Sequence, residues 1–384
     1  MHPDVVVIGA GPAGSSAARL LAERGLRVVL LERCRLPRVK TCGGGLVSRT
    51  VEHLGTDIAP VVERECRVVE VRLPGSGRTI VCRREAPIVS MTTRADLDLL
   101  LATRACEAGV TLRAPCAARA IEASRTDVAV TTDAGTLRCA LVVAADGATG
   151  TASRAGFGAV RHAAPALELE LPVTNRILER FADRARFDFG IVPGGYGWVF
   201  PKRDHLSIGV LSTRRGPAPL GQALAAYLRG LGLGQGDARP RGYVIPIRPA
   251  GRPWIRQRVL AIGDAAGLVD PLTAEGISGA VLSARLAAGA IAQADLNPDR
   301  VERIYARALQ AGVLRGLRLS AVIAQLVYTP RRLQHAVYVS AGPLLAQAIL
   351  DHSTGVAPTR SVLRALVGAF RPGAGAGRPA LTTA

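Results

Sequence analysis

The first 33 residues constrain the fold most, because they combine a buried strand, a glycine turn, a helix and a second strand. Val5 to Ile8 form an uninterrupted apolar run, which is typical of a parallel strand buried on both faces. Gly9, Gly11 and Gly14 follow directly in the spacing G-x-G-x-x-G. This order of elements predicts a dinucleotide-binding βαβ unit.

Each glycine of this turn has its own predicted role. Gly9 allows the tight turn, Gly11 lets the backbone approach a pyrophosphate, and Gly14 lets the following helix pack closely on the sheet. That helix begins near Ala13 and directs its N-terminal N–H groups at the pyrophosphate. A second strand delivers Glu32, whose carboxylate can bind an adenosine ribose and would repel a 2′-phosphate. The unit therefore favours FAD or NAD over NADP.

A second cluster of glycine and acidic residues decides between these two cofactors. An apolar strand leads into Gly263 and Asp264, and a long helix begins near Gly276 and Ile277. This cluster is distant from the first turn in sequence but returns to the same predicted sheet. Such an arrangement suits the two ends of FAD, because NAD is usually bound by contiguous βαβ units. We therefore predict FAD.

Cys42 precedes three consecutive glycines, Gly43 to Gly45. A backbone without side chains can lie flat against a planar ligand, so this loop suggests chemistry for Cys42, with loop packing as the alternative. The chain has seven cysteines and no C-x-x-C pair. This odd number favours neither a disulfide framework nor a metal site, and it fits a reducing cytosol.

Two further positions lie at the ends of predicted elements. Thr93 can cap a helix that begins at Arg94, a position where a cation is unfavourable for the helix dipole. The Arg94 side chain is therefore either exposed or in contact with a bound phosphate or flavin. Asp146 and Gly147 follow a buried strand, as expected beside a ligand crevice at the carboxyl edge of a parallel sheet.

Tyr196, Trp198 and Phe200 alternate along a predicted strand, so their rings lie on one face. Aromatic residues make up only 4% of the chain, which makes this cluster a local feature. It predicts either core packing beneath a sheet or an apolar pocket for a substrate.

The formal net charge of +19 raises the question of an anionic partner. The basic residues are almost all Arg scattered among Ala and Gly, without interleaved aromatic residues, so we expect no nucleic acid partner. No apolar run is long enough to span a bilayer, and the strand at Val5 leaves no room for a signal peptide. We expect a cytoplasmic protein, with peripheral contact to the inner face of the cell membrane left open.

Together these motifs resemble the geranylgeranyl reductase family of FAD-dependent oxidoreductases, which share the fold of p-hydroxybenzoate hydroxylase. The glycine turn with Glu32, and Gly263-Asp264 with Pro271, are common to the wider flavoprotein hydroxylase group. Two stretches are more specific, and the only two lysines of the chain lie in them. They are Pro37-Arg38-Val39-Lys40-Thr41-Cys42-Gly43-Gly44, similar to the family's P-x-x-K-x-C-G-G loop beside the isoalloxazine, and Tyr196-Gly197-Trp198-Val199-Phe200-Pro201-Lys202 with Gly209, similar to its strand at the substrate pocket.

The resemblance implies an enzyme that reduces isolated double bonds of polyprenyl chains, in a geranylgeranyl lipid, an isoprenoid diphosphate or a menaquinone tail. Its partners would be this prenyl substrate and NAD(P)H or a protein electron donor. Cys42 is the expected proton donor or redox partner of the flavin, and Tyr196, Trp198 and Phe200 would line the substrate tunnel. The expected cofactor-binding residues are Gly9, Gly11, Ala13, Gly14, Glu32, Arg33, Cys42, Gly43, Gly44, Arg94, Ala118, Asp264, Gly276 and Ile277.

Two other activities fit the same fold. One is a flavin-dependent monooxygenase of an apolar substrate, and the other is an electron-transfer flavoprotein that donates to a membrane quinone. The absence of a cysteine cluster for an iron–sulfur centre disfavours the second.

The expected fold is α/β, or α+β overall. It consists of a Rossmann-type FAD-binding domain with a parallel sheet, a substrate domain with a mixed or antiparallel sheet, and C-terminal helices. The FAD-binding domain comprises residues 1–45, 90–160 and 255–297, and the substrate domain comprises residues 46–89 and 161–254. A helical region at 298–370 and a disordered tail at 371–384 complete the chain.

Overall fold

The computed structural model describes residues 2–73, 77–157, 160–214, 218–249 and 254–328. The strands in these ranges are β1 (Val5–Ile8), β2 (Val28–Leu31), β3 (Gly45–Val47), β4 (Arg64–Cys66), β5 (Val68–Leu73), β6 (Arg78–Arg83), β7 (Val89–Met91), β8 (Thr111–Arg113), β9 (Ala118–Ala123), β10 (Val128–Thr132), β11 (Gly135–Cys139), β12 (Leu141–Ala144), β13 (Val160–Pro172), β14 (Arg184–Phe189), β15 (Gly195–Pro201), β16 (His205–Ser212), β17 (Arg241–Pro249), β18 (Ile255–Arg256) and β19 (Val259–Ala261). The α-helices are α1 (Pro12–Ala22), α2 (Ser48–Leu54), α3 (Arg94–Glu107), α4 (Thr151–Arg154), α5 (Asn175–Glu179), α6 (Leu220–Leu231), α7 (Ile277–Gln293), α8 (Pro298–Leu309) and α9 (Arg315–Val327).

A six-stranded sheet with the order β18-β19-β12-β1-β2-β8 has the N-terminal strand near its centre. Strand β1 pairs in parallel with both neighbours, and Val6 lies opposite Val142 on β12 and Val29 on β2. Helices α1 and α7 cover the face that carries Val5 and Val7. Strands β9 to β11 cover the opposite face, which carries Val6. Burial on both faces explains the uninterrupted apolar sequence of β1 and confirms the predicted parallel strand.

A seven-stranded sheet has the order β17-β13-β16-β15-β14-β5-β6 and is antiparallel except for the pair β14 and β5. Its side chains alternate between two faces, as the pleat of a strand requires. Val199, Ile208 and Val210 pack against helix α6 on one face. Tyr196 and Trp198 pack on the other face, with further aromatic residues. The predicted aromatic strand is therefore confirmed.

Two three-stranded antiparallel sheets, β11-β10-β9 and β3-β7-β4, complete the described strands. The combination of a parallel sheet, antiparallel sheets and covering helices confirms the predicted fold class. The six-stranded sheet takes its strands from residues 5–8, 28–31, 111–113, 141–144 and 255–261. The division into domains stays a prediction.

Helices α8 and α9 lie in the predicted C-terminal helical region and are joined by a π-helical turn at Gln310–Leu314. Tyr305 of α8 packs into the core of the six-stranded sheet, and Ile323 of α9 packs with the aromatic face of the seven-stranded sheet. The predicted region beyond residue 328, with the tail at 371–384, lies outside the described residues. The described helices include none with the length and continuous apolarity that crossing a bilayer requires.

Candidate active site

A cavity of about 740 Å³ is lined by residues of both large sheets and of the loops at their ends. Its volume is typical of sites for small molecules and cofactors. Among the residues predicted from the sequence, Gly14 does not line the cavity. Those that line it are Gly9, Gly11, Ala13, Glu32, Arg33, Cys42, Gly43, Gly44, Arg94, Ala118, Tyr196, Trp198, Phe200, Asp264, Gly276 and Ile277.

The glycine turn after β1 is tightly packed at two of its three positions. Gly9 has a φ of +101°, and a Cβ atom there would lie 2.5 Å from the carbonyl oxygen of Ala145. A Cβ atom on Gly14 would lie 1.8 Å from the carbonyl oxygen of Gly9. At Gly11 the nearest atom would be a guanidinium nitrogen of Arg94, 3.6 Å away. Steric limits therefore agree with the roles predicted for Gly9 and Gly14, and Gly11 is open to a ligand in the cavity.

Glu32 follows strand β2 and is 4% exposed. Its Oε2 accepts a hydrogen bond of 3.1 Å from the backbone N–H of Ala10, and its Oε1 accepts one of 3.1 Å from the N–H of Cys34. A guanidinium nitrogen of Arg38 lies 3.2 Å from Oε2. These contacts hold the carboxylate at the end of the strand, where the sequence predicts it. Its bonds to a ribose stay a prediction.

Arg94 begins helix α3, and the hydroxyl of Thr93 caps this helix by accepting a 3.2 Å bond from the N–H of Asp96. The guanidinium of Arg94 is buried and donates bonds of 2.9 and 2.7 Å to Asp98. Arg38 lies 3.0 Å from the same carboxylate. The alternative of an exposed Arg94 is therefore wrong. The buried guanidinium pairs with the buried carboxylate of Asp98, which offsets its positive charge. Its contact with a phosphate or flavin stays a prediction.

Asp264 lies in the short 3₁₀ turn Gly263–Ala266 after strand β19. Its Oδ2 accepts a 3.0 Å hydrogen bond from the hydroxyl of Tyr243. The Nζ of Lys40 lies 3.7 Å from this oxygen and 4.3 Å from the centre of the Tyr243 ring. A Cβ atom on Gly276 would lie 3.2 Å from Oδ1. Asp264 thus stands beside the N-terminus of α7, with a lysine and a tyrosine as neighbours.

The loop that contains Cys42 is fastened by a buried lysine that directly follows strand β15. Lys202 is 1% exposed, and its Nζ donates bonds of 2.8 Å to the carbonyl of Gly43 and 2.7 Å to that of Thr92. Gly44 has a φ of +66°, and a Cβ atom there would lie 1.9 Å from the Thr92 carbonyl oxygen. The Cys42 side chain is half-buried, and its Sγ accepts a 3.4 Å bond from the N–H of Gly44.

The aromatic face of the seven-stranded sheet packs directly on this loop. A Cβ atom on Gly43 would lie 2.9 Å from the ring of Phe200 and 3.0 Å from Nε1 of Trp198. The hydroxyl of Tyr196 donates to the carbonyl of Thr273, in the loop before α7. The three predicted rings belong to the core and also line the cavity. Core packing and an apolar pocket are therefore two properties of the same side chains.

Strand β13 carries two neighbouring acidic residues, Glu168 and Glu170. Burial and the negative charge of Glu170 raise the pKa of Glu168 to about 8. Burial also opposes ionisation of Glu170, but the His205 ring, whose Nε2 lies 3.1 Å from Oε2 of Glu170, and the charge of Lys202 outweigh burial and lower the pKa of Glu170. Near neutral pH, Glu168 is therefore protonated and Glu170 is ionised.

Asp146 and Gly147 line the cavity at the end of β12, beside the crevice where the sequence places them. The Oδ2 of Asp146 accepts a 2.9 Å bond from the N–H of Ala152 in helix α4. Burial raises the pKa of this carboxyl group. Asp146 therefore links the cavity wall to α4.

Comparisons with known proteins give the family of the chain. A protein-family model described as an FAD binding domain matches residues 2–176. A menaquinone reductase of Mycobacterium tuberculosis is 30% identical over 361 residues, which cover 85% of this chain and 85% of that protein. The digeranylgeranylglycerophospholipid reductase 1 of Methanopyrus kandleri is 30% identical over 335 residues, with coverages of 81% and 85%. The chain belongs to the geranylgeranyl reductase family of FAD-dependent oxidoreductases.

Solved structures show the same fold for this geranylgeranyl reductase family member. A geranylgeranyl bacteriochlorophyll reductase-like protein of Thermoplasma acidophilum has a TM-score of 0.78 and 22% identity, over 96% of both chains. A flavin-dependent brominase has a TM-score of 0.70 and 21% identity, over 93% of this chain and 94% of that one. The fold therefore occurs in flavoproteins that catalyse different reactions. The reaction of this protein has to be inferred from the residues of its site and not from the fold.

The residues of the cavity fit FAD, the cofactor of the family. Gly11 presents an open backbone to the cavity, and the positively charged Arg94 lies beside it. The carboxylate of Glu32 is fixed at the end of β2. Asp264 and the N-terminus of α7 line the same cavity. The cavity therefore offers polar groups that fit the ribose and the pyrophosphate of FAD at one end, and polar groups that fit its ribityl and flavin half at the other.

Several residues of the site were not identified as site residues from the sequence. Arg38 and Lys202 lie inside the two specific motifs, but only the structure shows that they bridge distant segments. Tyr243 carries no recognisable signal. Glu168 and Glu170 alternate with leucines along β13, and this period of two could have placed both acids on one face of a strand.

Proposed function

We propose that the protein uses reduced FAD to saturate isolated C=C bonds of a polyprenyl chain. The substrate is a geranylgeranyl lipid, an isoprenoid diphosphate or a menaquinone tail. The observation that carries the proposal is the continuity of the cavity, which runs from the glycine turn to the aromatic face beside Cys42. Relatives named as reductases of menaquinone, geranylgeranyl diphosphate and digeranylgeranylglycerophospholipid support the substrate class.

FAD would be held by groups from both ends of the cavity. The glycine turn and Glu32 would bind the adenosine half and the pyrophosphate, with Arg94 as the cationic partner. Asp264 and the N-terminus of α7 would bind the ribityl and flavin half. When bound and reduced, FAD supplies a hydride to one carbon of the double bond.

The aromatic residues prepare the substrate for this reaction. Tyr196 and Trp198 are buried, and with Phe200 they form an apolar wall that excludes water and holds the alkene in place. The faces of these rings also stabilise positive charge that develops at the more substituted carbon. The other carbon requires a proton, because an unactivated alkene accepts hydride poorly.

Cys42 lies in the cavity wall, in a loop fixed by Lys202. The proposal gives Cys42 either the proton transfer or a redox exchange with the flavin. We expect Cys42→Ser to lose double-bond reduction while it retains FAD, as measured by product analysis and flavin absorbance. Unchanged turnover would remove Cys42 from the mechanism.

The partners follow from the same proposal. NAD(P)H or a protein supplies the electrons, and the prenyl substrate is reached through peripheral contact with the inner face of the membrane. Co-sedimentation with vesicles of anionic phospholipid tests this contact, and a loss of binding at high salt is the expected result for a chain with a formal charge of +19.

The reaction is tested by reducing the FAD-loaded protein anaerobically and mixing it with menaquinone, geranylgeranyl diphosphate or geranylgeranylated lipid. Mass spectrometry of a prenyl reductase product shows the gain of two hydrogens without oxygen. A parallel aerobic sample tests the monooxygenase alternative. Gain of an oxygen atom only in air would replace the reductase with a monooxygenase.

A further inference from the structure

Glu168 presents a buried carboxyl group to the cavity from the seven-stranded sheet. It is 5% exposed and lines the cavity together with Cys42 and Trp198. No N–H or O–H group of the described residues other than a carboxyl group donates to its buried Oε2, and the carboxyl group of Glu170 is its hydrogen-bonding neighbour. Burial of such an oxygen costs free energy, so its presence in a cavity calls for a functional reason.

The strand register places Glu168 beside the predicted reaction centre. Glu168 on β13 lies opposite Gly209 on β16, and Gly209 lies opposite Trp198 on β15. A Cβ atom on Gly209 would lie 2.0 Å from Cζ2 of Trp198, so the indole extends over this glycine toward β13. The N–H of Cys42 is close enough to the Glu168 carboxyl to favour its charged form. The acid thus lies among groups predicted to contact flavin and substrate.

A chain of titratable groups connects Glu168 with the protein surface. Glu170 lies two residues along β13 and interacts with Glu168. The Nε2 of His205 lies 3.1 Å from Oε2 of Glu170, and its Nδ1 lies 2.7 Å from Oδ1 of Asp204. The Asp204 side chain is 84% exposed. Burial disfavours the charged form of His205, but its contacts with both carboxylates outweigh burial and raise its pKa.

We propose that Glu168 is the acid that delivers the proton to the alkene, and that His205 and Glu170 return a proton to it from solvent. The proposal rests on the proposed function, because it assigns the second hydrogen of the same reduction. It also takes the proton transfer away from Cys42.

The proposed step balances in atoms and electrons. One carbon takes the hydride, with its electron pair, from reduced flavin, and the other forms a C–H bond with the proton of Glu168. The O–H bond of Glu168 breaks, and its electron pair stays on the carboxylate. A proton then moves from protonated His205 through Glu170 to Glu168, and His205 takes a proton from water.

The electrostatic surroundings suit a general acid. A pKa of about 8 keeps Glu168 protonated at pH 7, and an acid is most effective when its pKa lies near the working pH. The reduction rate is therefore expected to fall as the pH rises through about 8. The titratable and charged groups around Glu168 and its relay are Cys42, Glu63, Glu170, Lys202, Asp204, His205 and, on the neighbouring strand β17, the exposed Arg241.

The test compares the FAD-loaded wild-type protein with Glu168→Gln, which keeps the shape of the side chain but cannot donate an acidic proton. Glu122→Gln, an exposed position on β9, is the matched control. At pH 7 we expect Glu168→Gln to slow the single-turnover reduction of the prenyl substrate by about a hundredfold or more. Its FAD content should equal that of the control, and its rate should lose the fall near pH 8.

Infrared difference spectroscopy gives a readout that does not depend on turnover. The wild-type holoenzyme should show the carbonyl band of a protonated carboxylic acid at pH 7 that disappears as the pH rises through about 8. This band should be missing in Glu168→Gln and present in Glu122→Gln. A missing band in the wild-type protein would overturn the proposal.

The kinetic outcomes separate this proposal from the function on which it rests. If the wild-type protein reduces the prenyl substrate and Glu168→Gln does so at the same rate, the proton assignment is wrong and the reductase function stands. If the wild-type protein reduces none of the lipids, the proposed function fails, and the assignment fails with it.

Discussion

The two halves of the cavity are built in different ways. On the six-stranded sheet, the site consists mainly of backbone: a glycine turn, the N–H groups that hold Glu32 and the N-terminus of α7. On the seven-stranded sheet it consists of side chains, chiefly Trp198, Phe200 and Glu168. Lys202, directly after β15, does not line the cavity but fastens the Cys42 loop that does. A backbone site suits a cofactor that stays the same across a family, whereas a side-chain site can change with the substrate.

The two halves also differ in what fixes them. At Gly14 of the glycine turn the constraint is local, since a Cβ atom there would abut the carbonyl of Gly9, five residues earlier. In the substrate half the constraint is long-range, since Lys202 donates to carbonyls at Gly43 and Thr92. Substitutions in the two halves should therefore affect the protein differently.

The largest effect is expected for Gly14→Ala. Its Cβ atom would lie 1.8 Å from a backbone oxygen that cannot move without opening the turn. We expect the free energy of unfolding to fall by about 3 kcal/mol, measured by urea denaturation of the FAD-free protein. Gly221→Ala in helix α6 is the control, because a Cβ atom there meets nothing within 4 Å. Equal stability of the two variants would show that the turn is not sterically limited.

A smaller effect is expected for Lys202→Met, which tests the side-chain half. The substitution leaves the carbonyls of Gly43 and Thr92 without their lysine donor. We expect the free energy of unfolding to fall by about 2 kcal/mol, again by urea denaturation. The exposed neighbour Arg203→Met should change it by less than about 0.5 kcal/mol. A Lys202→Met protein as stable as this control would mean that the lysine does not hold the loop.

The smallest effect on folding is expected for Gly11→Ala, which separates ligand binding from packing. Its Cβ atom would have only guanidinium groups of Arg94 and Arg38 nearby, at 3.6 and 3.8 Å. The free energy of unfolding without FAD should change by less than about 0.5 kcal/mol. FAD affinity should fall by about tenfold or more, measured by titration of the FAD-free protein. Unchanged affinity would place the pyrophosphate away from Gly11.

The same difference explains how much the sequence could predict. The glycine turn, Glu32 and the aromatic strand could be predicted from the sequence, because each is marked by a residue spacing within one or two adjacent elements. Arg94 was left with two alternatives, since its burial depends on Asp98 and on Arg38 from another segment. Proximity of Glu168 to Trp198 depends on the register of β13, β16 and β15, which no local spacing encodes.

The contact between Trp198 and Gly209 bears on how the protein can change in evolution. The indole occupies the space that a side chain at residue 209 would need. Any replacement of this glycine must therefore be preceded by a smaller residue at 198, so the order of the two mutations is restricted. A smaller residue at 198 alone would widen the cavity without altering the sheet. This position is thus a single-step route to bulkier substrates within the same scaffold.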